Sequence, residues 1–199
     1  MALSVIAANR RPAAGYVLRS VCASTLPTLK KLNQSLPMRY SEKFYREILA
    51  SERCRAKFAL EERPSPSGEA KAVGAIVMRR VPDPKSTGAS DKLPGALVPP
   101  LAAPAPCQVY VMSLAVDEAF RRRGVASMLL EDLYSTGAEM GADAVSLHVQ
   151  TNNEVAIALY ESHGFHIVQK IPDFYQAGIE QPVAYHKHAF LMQRRILIT

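Results

Sequence analysis

An apolar segment, an arginine-rich turn and a helix-like segment follow one another without a break between residues 109 and 140. The apolar segment, 109–116, has the composition of a strand that is covered on both faces. Three arginines occupy positions 121–123, and the small residues Gly124 and Ala126 follow them. A helix that starts directly after such a turn leaves its first backbone N–H groups unpaired and carries partial positive charge there. Because small side chains let a ligand approach the backbone, the arrangement predicts a binding site for a diphosphate.

The turn lacks the signatures of two common phosphate-binding loops. It has neither the Gly-Lys-Ser/Thr of a P-loop nor the third spaced glycine of a dinucleotide-binding motif. The formal net charge of +6 suits an anionic ligand, but also nucleic acid or a ribosome. The basic residues are spread along the chain and form no nucleic-acid motif, so sequence-specific nucleic-acid binding is not expected. No apolar run reaches the length of a membrane span, and no membrane partner is expected.

The three cysteines, Cys22, Cys54 and Cys107, favour a reducing compartment. Their number is odd, and none forms a Cys-x-x-Cys pair, which disfavours both a disulfide framework and a zinc site. Cys107 lies just before the apolar segment, where a catalytic thiol and a buried, unreactive thiol are both compatible with its position. We favour the buried thiol, because free cysteine is among the most buried residue types.

The two ends of the chain and one internal segment differ from the rest. No acidic residue precedes Glu42, whereas several basic residues do, as in a mitochondrial transit peptide. The alternative, which we prefer, is a short disordered extension at 1–14 in front of one domain at 15–192, with a C-terminal tail at 193–199. The Pro- and Ala-rich segment 82–106 is predicted to be a mobile insertion, and a partner-docking segment is the alternative.

Hydrophobic periodicity and turn residues predict strands that alternate with helices. The predicted strands are 16–20, 57–60, 72–81, 109–116, 144–149, 165–171 and 184–191. The predicted helices are 26–34, 42–51, 125–140 and 154–162. Ser41 and either Asn152 or Asn153 are expected to cap helix N-termini, and Ala138 is expected to face the core. The order predicts an α/β fold with a mixed sheet in a single domain.

The Arg-x-x-Gly-x-Ala pattern at 121–126 resembles the acetyl-CoA pyrophosphate loop of the GNAT N-acetyltransferases. More narrowly, six segments in order resemble the catalytic subunit of the NatE type of protein N-terminal acetyltransferase, the San-like family. These segments are 29–34, 36–40, 43–45, 110–114, 147–154 and 174–175. The resemblance covers about 16–191 without the insertion. It implies the GNAT acyl-CoA N-acyltransferase fold, a mixed, mostly antiparallel sheet flanked by helices, and acetyl-CoA as co-substrate.

The resemblance also implies roles for individual residues. Tyr110 and His148 match the family's catalytic pair, which acts through ordered water. The positions implied to contact acetyl-CoA are Leu114, Val116, Arg121, Arg122, Arg123, Gly124, Val125, Ala126, Ser127, Asn153 and Tyr160. The positions implied to surround the peptide N-terminus are Leu36, Pro37, Met38, Tyr40, Met112, Phe174, Tyr175 and Ile179. Three of these depart from the family's usual residues, since Leu36 replaces Phe, Met38 replaces Val and Phe174 replaces Tyr.

The chemistry of these residues fits acetyl transfer to an α-amine. An α-amine has a pKa of roughly 7.7–8.0, against roughly 10.4 for lysine, so a neutral imidazole acting through water is a sufficient base. His148 and Tyr110 lie on neighbouring predicted strands and can face one cleft. A backbone N–H near Leu114 could hold the oxyanion, and Tyr160 could protonate the leaving thiolate or simply pack in the core.

The sequence therefore predicts an acetyl-CoA-dependent N-terminal (N-alpha) acetyltransferase that works by direct transfer and without a metal. A retained Met followed by an apolar residue is the expected substrate N-terminus. A lysine side-chain acetyltransferase and a catalytically silent subunit of an N-terminal acetyltransferase complex stay open as alternatives. Nascent or free protein N-termini are the expected partners, with a NatA-type complex and the ribosome as further candidates. A cytoplasmic location is expected, with the nucleus as the alternative.

Overall fold

The computed structural model describes residues 15–36, 38–62, 70–82, 107–175 and 187–196. The strands are β1 (Tyr16–Ser20), β2 (Cys54–Glu61), β3 (Ala72–Pro82), β4 (Cys107–Val116), β5 (Ala144–Gln150), β6 (His166–Ile171) and β7 (Ala189–Arg195). The α-helices are α1 (Leu26–Asn33), α2 (Glu42–Ala50), α3 (Val125–Glu139) and α4 (Glu154–Ser162). The predicted extension at 1–14 lies outside the described residues, and so does 83–106 of the predicted insertion.

The seven described strands form one sheet in the order β1-β2-β3-β4-β5-β7-β6. Every neighbouring pair is antiparallel except β4 and β5, which run parallel. The parallel neighbours β4 and β5 need a crossover connection, which α3 supplies. The predicted fold, a mixed and mostly antiparallel sheet flanked by helices, is confirmed.

The predicted bounds of the last strand, 184–191, were wrong. β7 begins at Ala189 and continues to Arg195, so that it pairs with the full length of β5, from Ala144↔Arg195 to Gln150↔Ala189. Residues 193–195 therefore belong to the sheet and not to the predicted tail. The polar residue Gln193 is buried at this end because its amide donates to Gln108 Oε1 at 3.1 Å, which compensates for its loss of water.

Helices cover both faces of the sheet and create two separate cores. Residues of α3, such as Leu129 and Leu133, pack on one face, which we call the α3–α4 face. Residues of α1 and α2, such as Leu29 and Phe44, pack on the opposite face, the α1–α2 face. The prediction that Ala138 faces the core was wrong: it is exposed, and Gly137 is buried instead. Position 137 follows Leu133 by four residues and stays on the buried stripe, whereas position 138 turns away from it.

The sheet splits beside its centre. β4 and β5 are paired only from Gln108↔Ala144 to Tyr110↔Ser146, and no register pair joins them beyond Tyr110 among the described residues. β4 continues for six more residues along β3, so a gap opens between β4 and β5 toward their carboxyl ends. Ligands of open α/β sheets bind at such carboxyl ends, so this gap is a candidate binding site.

Candidate active site

A cleft with a cavity volume of about 150 Å³ occupies the gap between β4 and β5. Eleven of the predicted site residues line it: Leu36, Met38, Tyr40, Tyr110, Met112, Leu114, His148, Asn153, Tyr160, Phe174 and Tyr175. Two further predicted residues, Pro37 and Ile179, lie outside the described residues. The structure thus brings together side chains from five separate parts of the sequence.

The cleft passes from one face of the sheet to the other. Val109 and Val111 belong to the core on the α3–α4 face, so Tyr110 between them points to the α1–α2 face. His148 points the same way, because its neighbours Leu147 and Val149 also belong to the α3–α4 core. Leu114, Ala156 and Tyr160 approach the same cleft from the α3–α4 face. Two ligands could therefore enter from opposite faces and meet in the gap.

Tyr110 and His148 form a hydrogen-bonded pair at the centre of the cleft. The Tyr110 hydroxyl lies 2.9 Å from His148 Nδ1, and the His148 ring stacks on Phe174 with 3.9 Å between ring centroids. His148 Nε2 is buried and has no hydrogen-bond partner among the described residues. Among the described residues, His148 therefore makes its side-chain hydrogen bond through Nδ1, with the Tyr110 hydroxyl, and none through Nε2.

Burial holds both members of this pair in their neutral forms. Desolvation lowers the pKa of His148 from 6.5 to about 4. The same cause, with smaller contributions from the neighbouring tyrosines, raises the pKa of Tyr110 well above 10. At neutral pH the site therefore holds an uncharged imidazole beside an un-ionised phenol, both capable of passing a proton.

The buried imidazole links stability to pH. In the unfolded chain His148 takes up a proton near pH 6.5, whereas in the folded chain it resists protonation down to about pH 4. The unfolded state therefore binds more protons between these values, and the free energy of unfolding falls as the pH drops from 6.5 to 4. We expect this residue to contribute up to about 3 kcal/mol to the fall. Urea titrations at pH 7 and pH 4.5 should show a smaller pH-dependent loss in His148→Ala than in the unchanged chain, and equal losses would contradict the linkage.

The predicted diphosphate loop leads into α3 at the same edge of the sheet. Gly124 is the N-cap with a left-handed backbone (φ +81°), no side chain caps the helix, and no acidic residue lies in its first turn. Arg122 is also left-handed (φ +62°), an uncommon conformation for a residue with a side chain. The fifteen-residue helix therefore presents an open, positively polarised N-terminus beside exposed arginines.

The side chains of this loop lie on the surface beside the cleft and do not form its wall. Arg121 pairs with Glu118 at 3.2 Å, and the guanidinium of Arg123 lies 5.0 Å from the Phe120 ring centroid. Val125 is buried in the core, so only its backbone is available to a ligand. Val116 packs against the same core, and Ser127 is half-buried in the first turn of α3.

Two residues near α4 face the cleft in ways that limit what they can do. Asn153 caps α4, since its Oδ1 accepts from the Ala156 N–H at 3.1 Å, and its amide nitrogen is the part left for a ligand. This selects Asn153 over Asn152 as the predicted cap. Tyr160 is buried, and desolvation raises its pKa to about 12. It can therefore donate a hydrogen bond but does not ionise near neutral pH.

Aromatic and aliphatic side chains build the wall on the α1–α2 face. The Tyr40 hydroxyl donates to the Met112 carbonyl at 2.6 Å, which ties the 36–40 loop to β4. Tyr40 also stacks on Phe44 with 4.2 Å between ring centroids, and Ser41 fixes the start of α2 by accepting from the Phe44 N–H. Phe174 and Tyr175, which lie across the cleft from this loop, contact each other edge to face. Leu36, Met38, Met112 and Phe174 give this wall an apolar part, as a pocket for an apolar side chain requires.

Sequence reasoning missed several residues that line the cleft: Val111, Ser113, Leu147, Val149, Gln150 and Ala156. Gln150 could have been found, because it lies two residues after His148 on the same strand and on the same face. Ser113 could not, since its orientation depends on the pairing of β4 with β3. Cys107 lies at the other end of β4, is buried and accepts from Arg80 Nε at 2.9 Å, and it does not line the cleft.

The cleft wall is uncharged where the structure describes it. None of its lining residues is Asp, Glu, Lys or Arg. In the described ranges, no group of three or more His, Cys, Asp or Glu side chains lies close enough to hold a metal ion. Nor does any helix in those ranges have both the length and the apolar character needed to cross a membrane. A ligand that enters this cleft meets only uncharged side chains among the residues that the structure describes.

The chain has relatives among known proteins. Residues 26–165 match the acetyltransferase (GNAT) family. The chain is 31% identical over 173 residues to N-alpha-acetyltransferase 60 of Xenopus tropicalis, an alignment that covers 84% of this chain and 67% of that protein.

Two solved structures from Arabidopsis thaliana share the fold. NAA60 in complex with acetyl-CoA superposes with a TM-score of 0.71 at 23% identity, covering 91% of this chain and 98% of that one. Naa50 in complex with the bisubstrate analogue CoA-Ac-MVNAL superposes with a TM-score of 0.65 at 28% identity, covering 90% and 98%. The relatives thus include N-alpha-acetyltransferases of both the 50 and the 60 type.

Proposed function

The chain belongs to the acetyltransferase (GNAT) family, and from this premise we propose that it acetylates peptide N-termini that keep their Met and continue with an apolar residue. It is an acetyl-CoA-dependent N-alpha-acetyltransferase by its similarity to relatives with that activity. The acceptors are the α-amines of nascent or free protein N-termini. The NatE-like peptide preference is the narrower part of the proposal.

The two-faced cleft is the observation that carries the proposal. Acetyl-CoA would bind on the α3–α4 face, with its diphosphate at the N-terminus of α3 and its thioester beside Leu114 and Tyr160. The peptide would enter from the α1–α2 face, between the Tyr40 loop and the Phe174–Tyr175 pair. The amine and the thioester would then meet in the gap beside Tyr110. Such an arrangement supports direct transfer, because the amine and the thioester are held close enough to react with each other. No acyl-enzyme intermediate is then needed.

Tyr110 and His148 would act together as the proton acceptor. Because His148 Nε2 is buried, the proton from the attacking nitrogen would pass to the Tyr110 hydroxyl, directly or through one water, while the Tyr110 proton moves to His148 Nδ1. The low pKa of His148 makes it a weak base, so it cannot readily deprotonate an ammonium ion. The amine would therefore enter neutral and lose its proton only after the C–N bond has formed, when that proton is far more acidic.

The departing thiolate and the oxyanion require donors on the other face. Tyr160 stays protonated and would donate a hydrogen bond to the sulfur as the C–S bond breaks. A backbone N–H of β4 near Leu114, where the strand has left β5, would hold the oxyanion. Asn153 would contact coenzyme A through its amide nitrogen, since its oxygen caps α4.

The uncharged wall favours an α-amine over a lysine side chain. A neutral amine must be present in the cleft, and an α-amine with a pKa of roughly 7.7–8.0 provides one far more often at pH 7.5 than lysine at roughly 10.4. Leu36, Met38 and Met112 are flexible apolar side chains that would accept Met at the first position. Such a pocket discriminates by about 1–3 kcal/mol per methylene, which gives a preference rather than strict selection.

Acetylation of a peptide panel tests the proposal. We expect kcat/KM for a peptide that starts with Met-Leu to exceed that for the same peptide starting with Ser-Leu by about tenfold or more. An N-blocked peptide that carries lysine serves as the control and should be acetylated at least about 100-fold more slowly, because its amine is rarely neutral at pH 7.5. Faster acetylation of the lysine peptide would instead identify a lysine acetyltransferase. Binding of acetyl-CoA without turnover of any peptide would contradict catalysis and favour the silent subunit.

A further inference from the structure

Ser113 carries a polar group in the cleft wall to which the geometry above gives no task. It is 5% exposed, and its hydroxyl has no hydrogen-bond partner among the described residues. It nevertheless lines the cleft between Met112 and Leu114. A buried hydroxyl without a partner is unfavourable, so the position of Ser113 in the cleft wall points to a partner that arrives with the ligand.

A β-bulge turns this hydroxyl toward the peptide side. Val111 pairs with Met78 of β3 and Ser113 pairs with Val77, which leaves Met112 as the extra residue on β4. Val77 belongs to the core on the α1–α2 face, and cross-strand partners share a face, so Ser113 points there too. Met112 and Ser113 therefore lie side by side on the same face as Tyr110, although strict alternation would have separated them.

The surroundings of Ser113 fit an amine better than an oxyanion. Its neighbour Met112 accepts the hydrogen bond from Tyr40, which holds the 36–40 loop against β4. This loop lies on the α1–α2 face, where the peptide would enter. The thioester would approach from the opposite face, beside Leu114. In the wall that the structure describes, no carboxylate is present to hold an ammonium ion. A hydroxyl can accept one N–H of a neutral amine, which leaves the nitrogen lone pair free.

We propose that Ser113 is a substrate-binding residue whose hydroxyl accepts a hydrogen bond from the neutral acceptor amine and aims its lone pair at the thioester carbon. This inference rests on the proposed function, because it assigns a contact in the same site. The contact orients the attacking nitrogen and leaves proton removal to Tyr110 and His148. Its loss should therefore lower kcat more than it changes the KM for either substrate.

Ser113→Ala tests the contact against a matched control. We expect kcat for the best peptide acceptor to fall about tenfold, with the acetyl-CoA dissociation constant changed by less than about twofold. The melting temperature should stay the same or rise, because the variant removes a buried hydroxyl that lacks a partner in the empty enzyme. If Ser113 had a purely structural role, the variant would instead have a lower melting temperature, and its activity would fall because less of the protein is folded.

Ser146→Ala is the control. Ser146 is also a buried serine whose hydroxyl lacks a partner within the described ranges, but it lies on β5 outside the cleft wall. This variant should match Ser113→Ala in stability and keep the kcat of the unchanged chain. An unaltered kcat in Ser113→Ala, an equal loss in both variants, or a lowered melting temperature in Ser113→Ala alone would each overturn the proposal.

The serine variants are assayed with whichever peptide the unchanged chain acetylates best. The proposed function and the Ser113 contact can then be contradicted independently of each other. If that chain acetylates only a lysine peptide, the proposed function is contradicted, and the serine variants are then compared on lysine, where the same tenfold loss is expected. If it acetylates Met-Leu peptides and Ser113→Ala does so equally well, only the Ser113 contact is contradicted. If it acetylates no amine at all, both proposals are contradicted.

Discussion

His148→Ala is expected to lower kcat about 10²- to 10³-fold while leaving acetyl-CoA affinity within about twofold. The reason is that His148 Nδ1 is 2.9 Å from the Tyr110 hydroxyl and, in the proposed mechanism, would accept the proton of that hydroxyl. Without the imidazole, the Tyr110 hydroxyl could not pass on its own proton when it takes one from the amine. It could not release that proton as a phenolate either, because burial raises its pKa well above 10. Stopped-flow or steady-state assays with saturating acetyl-CoA measure kcat, and calorimetry measures cofactor binding.

Tyr110→Phe should cause a similar loss, since it removes the other half of the relay. His163→Ala is the matched control, because His163 is also a buried histidine whose Nε2 has no partner in the described part of the chain, yet its Nδ1 contacts the Leu159 carbonyl and it does not line the cleft. This control is expected to lose stability and to keep kcat per folded molecule. If His148→Ala and Tyr110→Phe both kept full turnover, the assigned pair would be excluded.

Gly124→Val should weaken acetyl-CoA binding about 30-fold or more. Gly124 is the N-cap of α3 with φ +81°, a conformation that a β-branched residue adopts only at a cost of roughly 1–2 kcal/mol. The new side chain would also stand where a diphosphate must approach the backbone N–H groups, and the interaction with the helix N-terminus would be lost. The KM for acetyl-CoA and the calorimetric dissociation constant should rise together, with little change in kcat at saturation.

Gly141→Val separates backbone strain from the loss of phosphate binding. Gly141 follows the other end of α3, has φ +68°, and has open space where a Cβ would be added. Both variants should lose similar stability, but only Gly124→Val should lose cofactor affinity. An equal change in the KM for acetyl-CoA in the two variants would mean that the loop does not bind the diphosphate.

Local chemistry explains which parts of the fold the sequence could predict. Ser41 and one of Asn152 and Asn153 were predicted as caps because a short polar side chain before a helix satisfies a free N–H within three residues, and the structure selects Asn153. The 109–116 strand and the helix after it were predictable for the same reason. Their signals, a continuous apolar run and the turn that ends in Gly124, each lie within a few neighbouring residues. The pairing of Tyr110 with His148 needed the family resemblance, which supplied the relative position of two strands.

Other features depend on contacts between distant segments and were therefore hidden. The bulge at Met112 exists only in relation to β3, and without it Ser113 would be assigned to the opposite face. β7 continues past residue 191 because Gln193 finds Gln108 on a distant strand, which no local pattern announces. The stacking of Phe174 on His148 likewise arises from tertiary packing and lowers the polarity around the imidazole.

The short pairing between β4 and β5 has a consequence for the loaded protein. Among the described residues, only three register pairs join β4 to β5, so the two halves of the sheet are held together most weakly beside the proposed binding site. A molecule lodged in the gap would touch both halves and act as a removable crosslink. Any ligand that binds the folded chain alone adds to its stability in proportion to the logarithm of its concentration above the dissociation constant. Cofactor supply would in this way tune the rigidity of the sheet as well as the rate of transfer.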